Sequence, residues 1–173
     1  MSITITATVD PARSRVEART EHAQQIIMDA DPPEGDDAAA GPKEALLAAL
    51  GGCTSMDVAS ILRKKRQSAD GYEIEVSGET AEEHPRVFTT ITVEHRVTGP
   101  VEAEALRRSI ELSATRYCPV NAMLSAVATI EHRYRLTAPD GTSRSARVVV
   151  TGPTGVHDPE VRSAPGHDSL RSS

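Results

Sequence analysis

From Ala45 to Leu50 the chain reads ALLAAL. A helix-forming stretch begins there and continues through GGCTSMDVASILRKKRQ to Gln67, and its start is apolar around nearly its whole circumference. A helix of that kind is buried on every side. One small sheet cannot enclose it, so the sequence predicts that a second copy of the chain does, as a homodimer. Gly51 and Gly52 tighten the constraint, because each costs about 1 kcal/mol relative to alanine inside a helix. A tandem pair implies the close approach of other backbone or of a substrate, and it falls beside Cys53.

The pattern around this helix alternates between strand and helix periods. ITITATV (Ile3 to Val9) alternates strictly and is rich in β-branched residues, so it predicts a strand. SRVEART and AQQIIMDA then read as a hairpin pair. DPPEGDDAAAGP, from Asp31 to Pro42, is a loop whose last proline suits the first turn of a helix over about 43–66. YEIEVSGE and RVFTTITVEHRV predict an antiparallel pair joined near Glu82 to Pro85. EAEALRRSIELSATR is an amphipathic helix with Leu106, Ile110 and Leu112 inward, PVNAMLSAVA is a short helix opened by Pro119, and TIEHRYRLTA is a further strand. Strands and helices in this order make an α+β protein with two half-buried sheets. The main domain is expected over 1–138, an edge strand over 139–150, and a disordered tail rich in Gly, Pro, Ser and charge over 151–173.

Composition excludes several classes of function. The chain of 173 residues has no Trp, one Phe and three Tyr, so its core is aliphatic and it lacks aromatic platforms for stacking on bases. A net charge of -6 argues against a phosphate-rich partner, and the run RKKRQ (Arg63 to Gln67) is accounted for as cations at a helix C-terminus. No nucleic acid is expected. The N-terminus MSITITATVD lacks the charged and apolar regions of a signal peptide, and the run Ala45 to Cys53 is too short for a bilayer. These readings predict a cytoplasmic protein with no membrane partner. His84, His95 and His132 show neither HxxxH nor CxxC spacing, so no metal and no cofactor is expected.

Two cysteines in a reducing compartment point to redox chemistry or to inert burial. Cys53 lies within an apolar helix, a setting that leaves a free thiol inert. Cys118, in RYCPVNAML, falls at or beside a helix N-cap, where the helix end favours a thiolate. On local electrostatics alone, Cys118 is the better nucleophile.

LLAALGGCTSMDVASILRKKRQ and ELSATRYCPVNAML, with the order of elements around them, resemble the OsmC/Ohr family of thiol-dependent hydroperoxide reductases over about residues 1–138. The motif GPKEALLAALGGCTSMDV is similar to a less characterised OsmC-like branch. The resemblance implies antiparallel sheets wrapped around central helices in an intertwined homodimer. It also implies antioxidant, oxidative-stress activity in which Cys53 attacks an organic hydroperoxide and Cys118 resolves the product as a disulfide. A small dithiol or a lipoylated protein would return the reduced state. The family further implies an arginine supporting the Cys53 thiolate, here Arg13 or Arg15, held by a glutamate near the helix start. Lys43 stands at that glutamate position, and the carboxylate is Glu44 one residue later. An alternative function for the same fold is a non-enzymatic dimer that binds an apolar small ligand in its interface groove.

Overall fold

The computed structural model describes residues 2–157. The chain divides into two compact units, residues 1–49 and the remainder from Leu50 onward. Unit one holds β1 (Ile5–Asp10), β2 (Arg15–Thr20) and β3 (Gln25–Met28), an antiparallel sheet in the order β1-β2-β3. This is the strand and hairpin set that the alternation predicts. Ala18 is its one buried strand residue, whereas Ile5, Val9, Ile26 and Ile27 are exposed.

α1 (Pro42–Lys64) begins in unit one and runs into unit two. Pro42 occupies its first position, and the Glu44 carboxylate reaches back to accept the Gly41 N–H at 2.8 Å. That is half of a capping box. Its buried residues are Leu50, Gly51, Thr54, Val58 and Leu62, a stripe one turn apart. Leu46 and Met56 are exposed, so the helix is not enclosed within one chain. By length and composition alone α1 is apolar enough to cross a membrane, as core helices of globular domains also are; it is longer than the apolar run Ala45 to Cys53. Its buried stripe meets Ile74 and Val76 at Gly51 and joins a cluster with Val97, Leu106, Ile110 and Val148 through Val58 and Leu62.

Unit two contains β4 (Gly71–Thr80), β5 (Phe88–Thr98), α2 (Ala103–Leu112), a π-helical turn (Ser113–Tyr117), α3 (Pro119–Leu124), β6 (Thr129–Thr137), β7 (Ser143–Gly152) and β8 (Gly155–His157). The strands form one sheet in the order β4-β5-β6-β7-β8. The sheet is mixed: β5 and β6 run parallel, with Ile91 opposite Ile130 and Val97 opposite Leu136. The expected antiparallel sheets are corrected at this pair, because the helical segment between the two strands forms a crossover and returns the chain in the same direction. β7 is an interior strand rather than the edge expected over 139–150, since β8 pairs with it through Thr151 and Val156. Residues 151–157 are therefore ordered in β7 and β8, against the expected tail. Val148, Val149 and Thr151 are buried, and the adjacent pair breaks the strict alternation by which a strand is read from sequence. The rest of the expected tail, 158–173, lies outside the described residues.

The core of unit two is aliphatic. Val58 and Leu62 of α1 meet Val97, Leu106, Ile110, Leu136, Val148 and Val149. Leu106 and Ile110 are buried as their spacing predicts, while Leu112 is half-buried.

Candidate thiol site

Cys53 is half-buried near the middle of α1, one residue past the tandem glycines. A Cβ on Gly51 would lie 3.1 Å from a methyl of Val76 and 3.6 Å from one of Ile74, so this glycine admits β4 to the helix. Side chains rather than backbone make that approach. Nothing lies within 4 Å of a Cβ on Gly52.

Cys118 is buried and caps α3, as PVNAML following a cysteine predicts. Its sulfur accepts the Asn121 N–H at 3.3 Å, and its own N–H donates to the Ser113 carbonyl at 2.9 Å, closing the π-helical turn. The short helix does not make it a thiolate. Burial pushes the Cys118 thiol up to about 12, and hydrogen bonding to Cys53 pushes in the same direction, outweighing the Asn121 N–H. Burial thus favours the neutral thiol at Cys118, against the thiolate that the helix end alone led the sequence to predict.

The two cysteines converge, and a third group that sequence reasoning missed joins them. The Cys53 sulfur, the Cys118 sulfur and a carboxylate oxygen of Asp57 all lie within 4.8 Å of one another. Asp57 is one helical turn beyond Cys53, so it shares that face of α1; the i to i+4 spacing was the available signal. Ser113 Oγ donates to Asp57 Oδ2 at 3.0 Å, and Thr54 Oγ1 lies 3.0 Å from the same hydroxyl. Two sulfurs and one carboxylate are three donors, one short of the closed four-ligand set of a structural zinc site, and the sequence predicts no metal.

The expected arginines lie in unit one and differ in setting. Arg13, on the turn between β1 and β2, pairs with Asp36 at 3.3 Å with both side chains exposed. Arg15 opens β2, and its Nη1 lies 3.9 Å from Asp29 Oδ2. Asp29 is buried and accepts N–H groups from Ala30 at 2.9 Å and Ala38 at 3.1 Å. Those backbone donors, led by Ala38, and Arg15 hold its carboxyl below the usual range. Glu44 is engaged with Gly41 as a helix cap and pairs with neither arginine.

Behind Cys118 runs a second feature absent from the sequence reading, a chain of polar side chains that is half-buried at Tyr72 and buried at His95, His132 and Asn121. Tyr72 Oη lies 2.6 Å from His95 Nδ1, His95 Nε2 lies 3.4 Å from His132 Nδ1, and His132 Nε2 lies 2.9 Å from Asn121 Oδ1. Asn121 Nδ2 donates to the Ala114 carbonyl at 2.8 Å and to Thr151 Oγ1 at 3.1 Å. A cleft of about 720 Å³ lined by Arg107, Tyr134, Leu136 and Arg144 contains neither cysteine.

Residues 35–133 match the family model described as OsmC-like protein. Protein YhfA of Escherichia coli (strain K12) is 41% identical over 115 residues, covering 66% of this chain and 84% of that protein. The chain belongs to the OsmC-like family. The fold agrees: a hypothetical protein from Aquifex aeolicus VF5 superposes on this OsmC-like chain with a TM-score of 0.71 at 25% identity, over 80% of this chain and 98% of that one. The organic hydroperoxide resistance protein OhrB of Bacillus subtilis shares the fold at 12% identity, with a TM-score of 0.57 over 78% and 98% of the two chains.

Proposed function

We propose that this OsmC-like protein is a thiol-dependent peroxidase that reduces organic hydroperoxides. The observation that carries the reading is the convergence of the only two cysteines, 65 positions apart in the chain, to within 4.8 Å of each other. A small shift brings such a pair to disulfide geometry. Family membership and the hydroperoxide resistance protein that shares the fold supply the substrate class.

In this reading the Cys53 thiolate attacks the distal oxygen of the hydroperoxide. The O–O bond breaks, Cys53 becomes a sulfenic acid, and the alkoxide leaves as an alcohol on gaining a proton. Cys118 attacks the sulfenic sulfur, giving the disulfide and water. A small dithiol or a lipoylated protein then reduces the disulfide. Arg15 is the better of the two expected arginines for supporting the thiolate, because it lies 3.9 Å from the buried Asp29, whereas Arg13 pairs with an exposed Asp36.

The working form in this reading is a homodimer. The exposure of Leu46 and Met56 on α1, and of Ile5, Val9 and Ile26 on the first sheet, supports it, since each large side chain left in water forgoes about 1.5–3 kcal/mol of burial. The same exposed apolar residues favour the second reading, a dimer that binds an apolar ligand without turnover.

The test is consumption of cumene hydroperoxide by reduced protein without reductant. Wild type and Cys118→Ser each consume about one equivalent, Cys53→Ser consumes none, and the Cys118→Ser product is trapped by dimedone on Cys53. A wild type that leaves the hydroperoxide untouched excludes the enzyme and favours the binder.

A further inference from the structure

A neutral, buried Cys118 cannot close a disulfide until something accepts its proton, and one carboxylate stands within reach. Asp57 shares the α1 face of Cys53, and its carboxylate oxygen lies within 4.8 Å of both sulfurs. Its position is set from the Cys118 side as well. Ser113 opens the π-helical turn that ends at Cys118, receives the Cys118 N–H on its carbonyl, and donates its hydroxyl proton to Asp57 Oδ2 at 3.0 Å. Because that hydroxyl has only one proton to give, the contact to Thr54 Oγ1 is one in which Thr54 donates. Asp57 is therefore held as an acceptor by the same turn that holds the attacking thiol. π-helical turns inside helices are frequent at functional sites.

We propose that Asp57 is the general base of disulfide closure, taking the proton of Cys118 as its sulfur attacks the oxidised sulfur of Cys53. When the leaving group is the hydroxyl of a sulfenic acid, the step balances as follows. The Cys118 S–H bond breaks, the S–S bond forms, the Cys53 S–O bond breaks, and Asp57 returns the proton to the departing hydroxide as water. The Cys53 sulfur is reduced by one electron equivalent and the Cys118 sulfur is oxidised by one, so no further oxidant enters. This role rests on the peroxidase reading for its biological substrate, but the closure chemistry itself does not need a peroxide.

The experiment exploits that independence. Full-length reduced protein is mixed with one equivalent of Ellman's reagent. The first thionitrobenzoate released reports a mixed disulfide on Cys53, and the second reports attack by Cys118 on it. Asp57→Asn slows the second phase at least tenfold at pH 7, a loss at the low end of what general bases contribute, and does not slow the first, because losing a carboxylate beside the Cys53 sulfur does not disfavour its thiolate. The deficit shrinks as pH rises, because hydroxide replaces the missing base, and Asp57→Glu restores most of the rate. A second phase in Asp57→Asn that matches wild type, or a deficit constant from pH 6 to 9 as a structural distortion gives, overturns the proposal. If Asp57→Asn fails to fold by circular dichroism, Asp57→Ser is measured in its place under the same criteria. A protein that closes its disulfide with Asp57 dependence yet ignores hydroperoxide refutes the peroxidase reading and keeps Asp57 as base.

Discussion

His132 donates from Nε2 to Asn121 Oδ1 at 2.9 Å, and this one bond fixes the polarity of the whole buried chain. Asn121 spends its amide protons on Ala114 and Thr151, so its oxygen only accepts. A neutral His132 then has an acceptor at Nδ1, which takes the Nε2–H of His95, whose own Nδ1 takes the hydroxyl proton of Tyr72. Burial favours the neutral ring in both histidines and keeps the proton on Tyr72. The chain ends at Asn121, whose backbone N–H is capped by the Cys118 sulfur.

Acid should loosen this arrangement. Burial holds His132 down to about 4, against 6.5 when unfolded, and His95 also lies well below 6.5. A depressed histidine contributes stability that is fully present above 6.5 and is lost as pH falls toward the folded value, because the unfolded chain binds the proton first. For each histidine the slope is about 1.4 kcal/mol per pH unit in that window. Urea midpoints by circular dichroism should fall between pH 7 and 4.5, and His132→Gln should flatten the slope. An equal slope in wild type and variant contradicts the assignment.

Asn121→Ala removes the acceptor for His132 and the donors to Ala114 and Thr151 at once. Unmet buried polar groups cost about 1–3 kcal/mol each, so the expected loss is about 3 kcal/mol in urea unfolding. A loss below about 1 kcal/mol would mean that water replaces the amide.

Cys118 should be hard to modify. Its thiol is buried and pushed up to about 12, so iodoacetamide at pH 7 should label Cys53 first and reach Cys118 only on unfolding, as read by peptide mass mapping. Preferential labelling of Cys118 would restore the helix N-terminus as the source of reactivity.

The two expected arginines should separate. Arg15→Ala, which removes the partner of buried Asp29, is expected to slow the first oxidation by about tenfold or more. Arg13→Ala breaks only an exposed pair with Asp36 and should stay within twofold by stopped-flow hydroperoxide consumption. The reverse ranking would move the thiolate support to Arg13.

Much of this was legible in the chain. ITITATV, YEIEVSGE and TIEHRYRLTA announced strands by period two, and GPKEALLAAL announced a helix with Pro42 in its first turn. The cysteine before PVNAML announced an N-cap, and it is one. What the sequence hid depends on contacts between distant residues. Cys118 was expected to ionise because the helix end is visible in sequence, whereas its burial is not. Asp57 lies only four residues from Cys53, but its relevance depends on Ser113 and Cys118, more than fifty residues away. The buried histidines were read as ordinary strand residues because nothing local to His95 reveals Tyr72 or His132. The parallel β5–β6 pair was missed because the direction of return is set by the crossover rather than by either strand.

In the proposed function, Cys53 and Cys118 form a redox pair driven by hydroperoxide. Intact-mass spectrometry under non-reducing conditions, after one equivalent of cumene hydroperoxide on reduced protein, tests it most directly. The expected result is a loss of two hydrogens, about 2 Da per chain, and a single cross-linked peptide joining Cys53 to Cys118. An unchanged mass, or a gain of oxygen with no such peptide, would contradict the account.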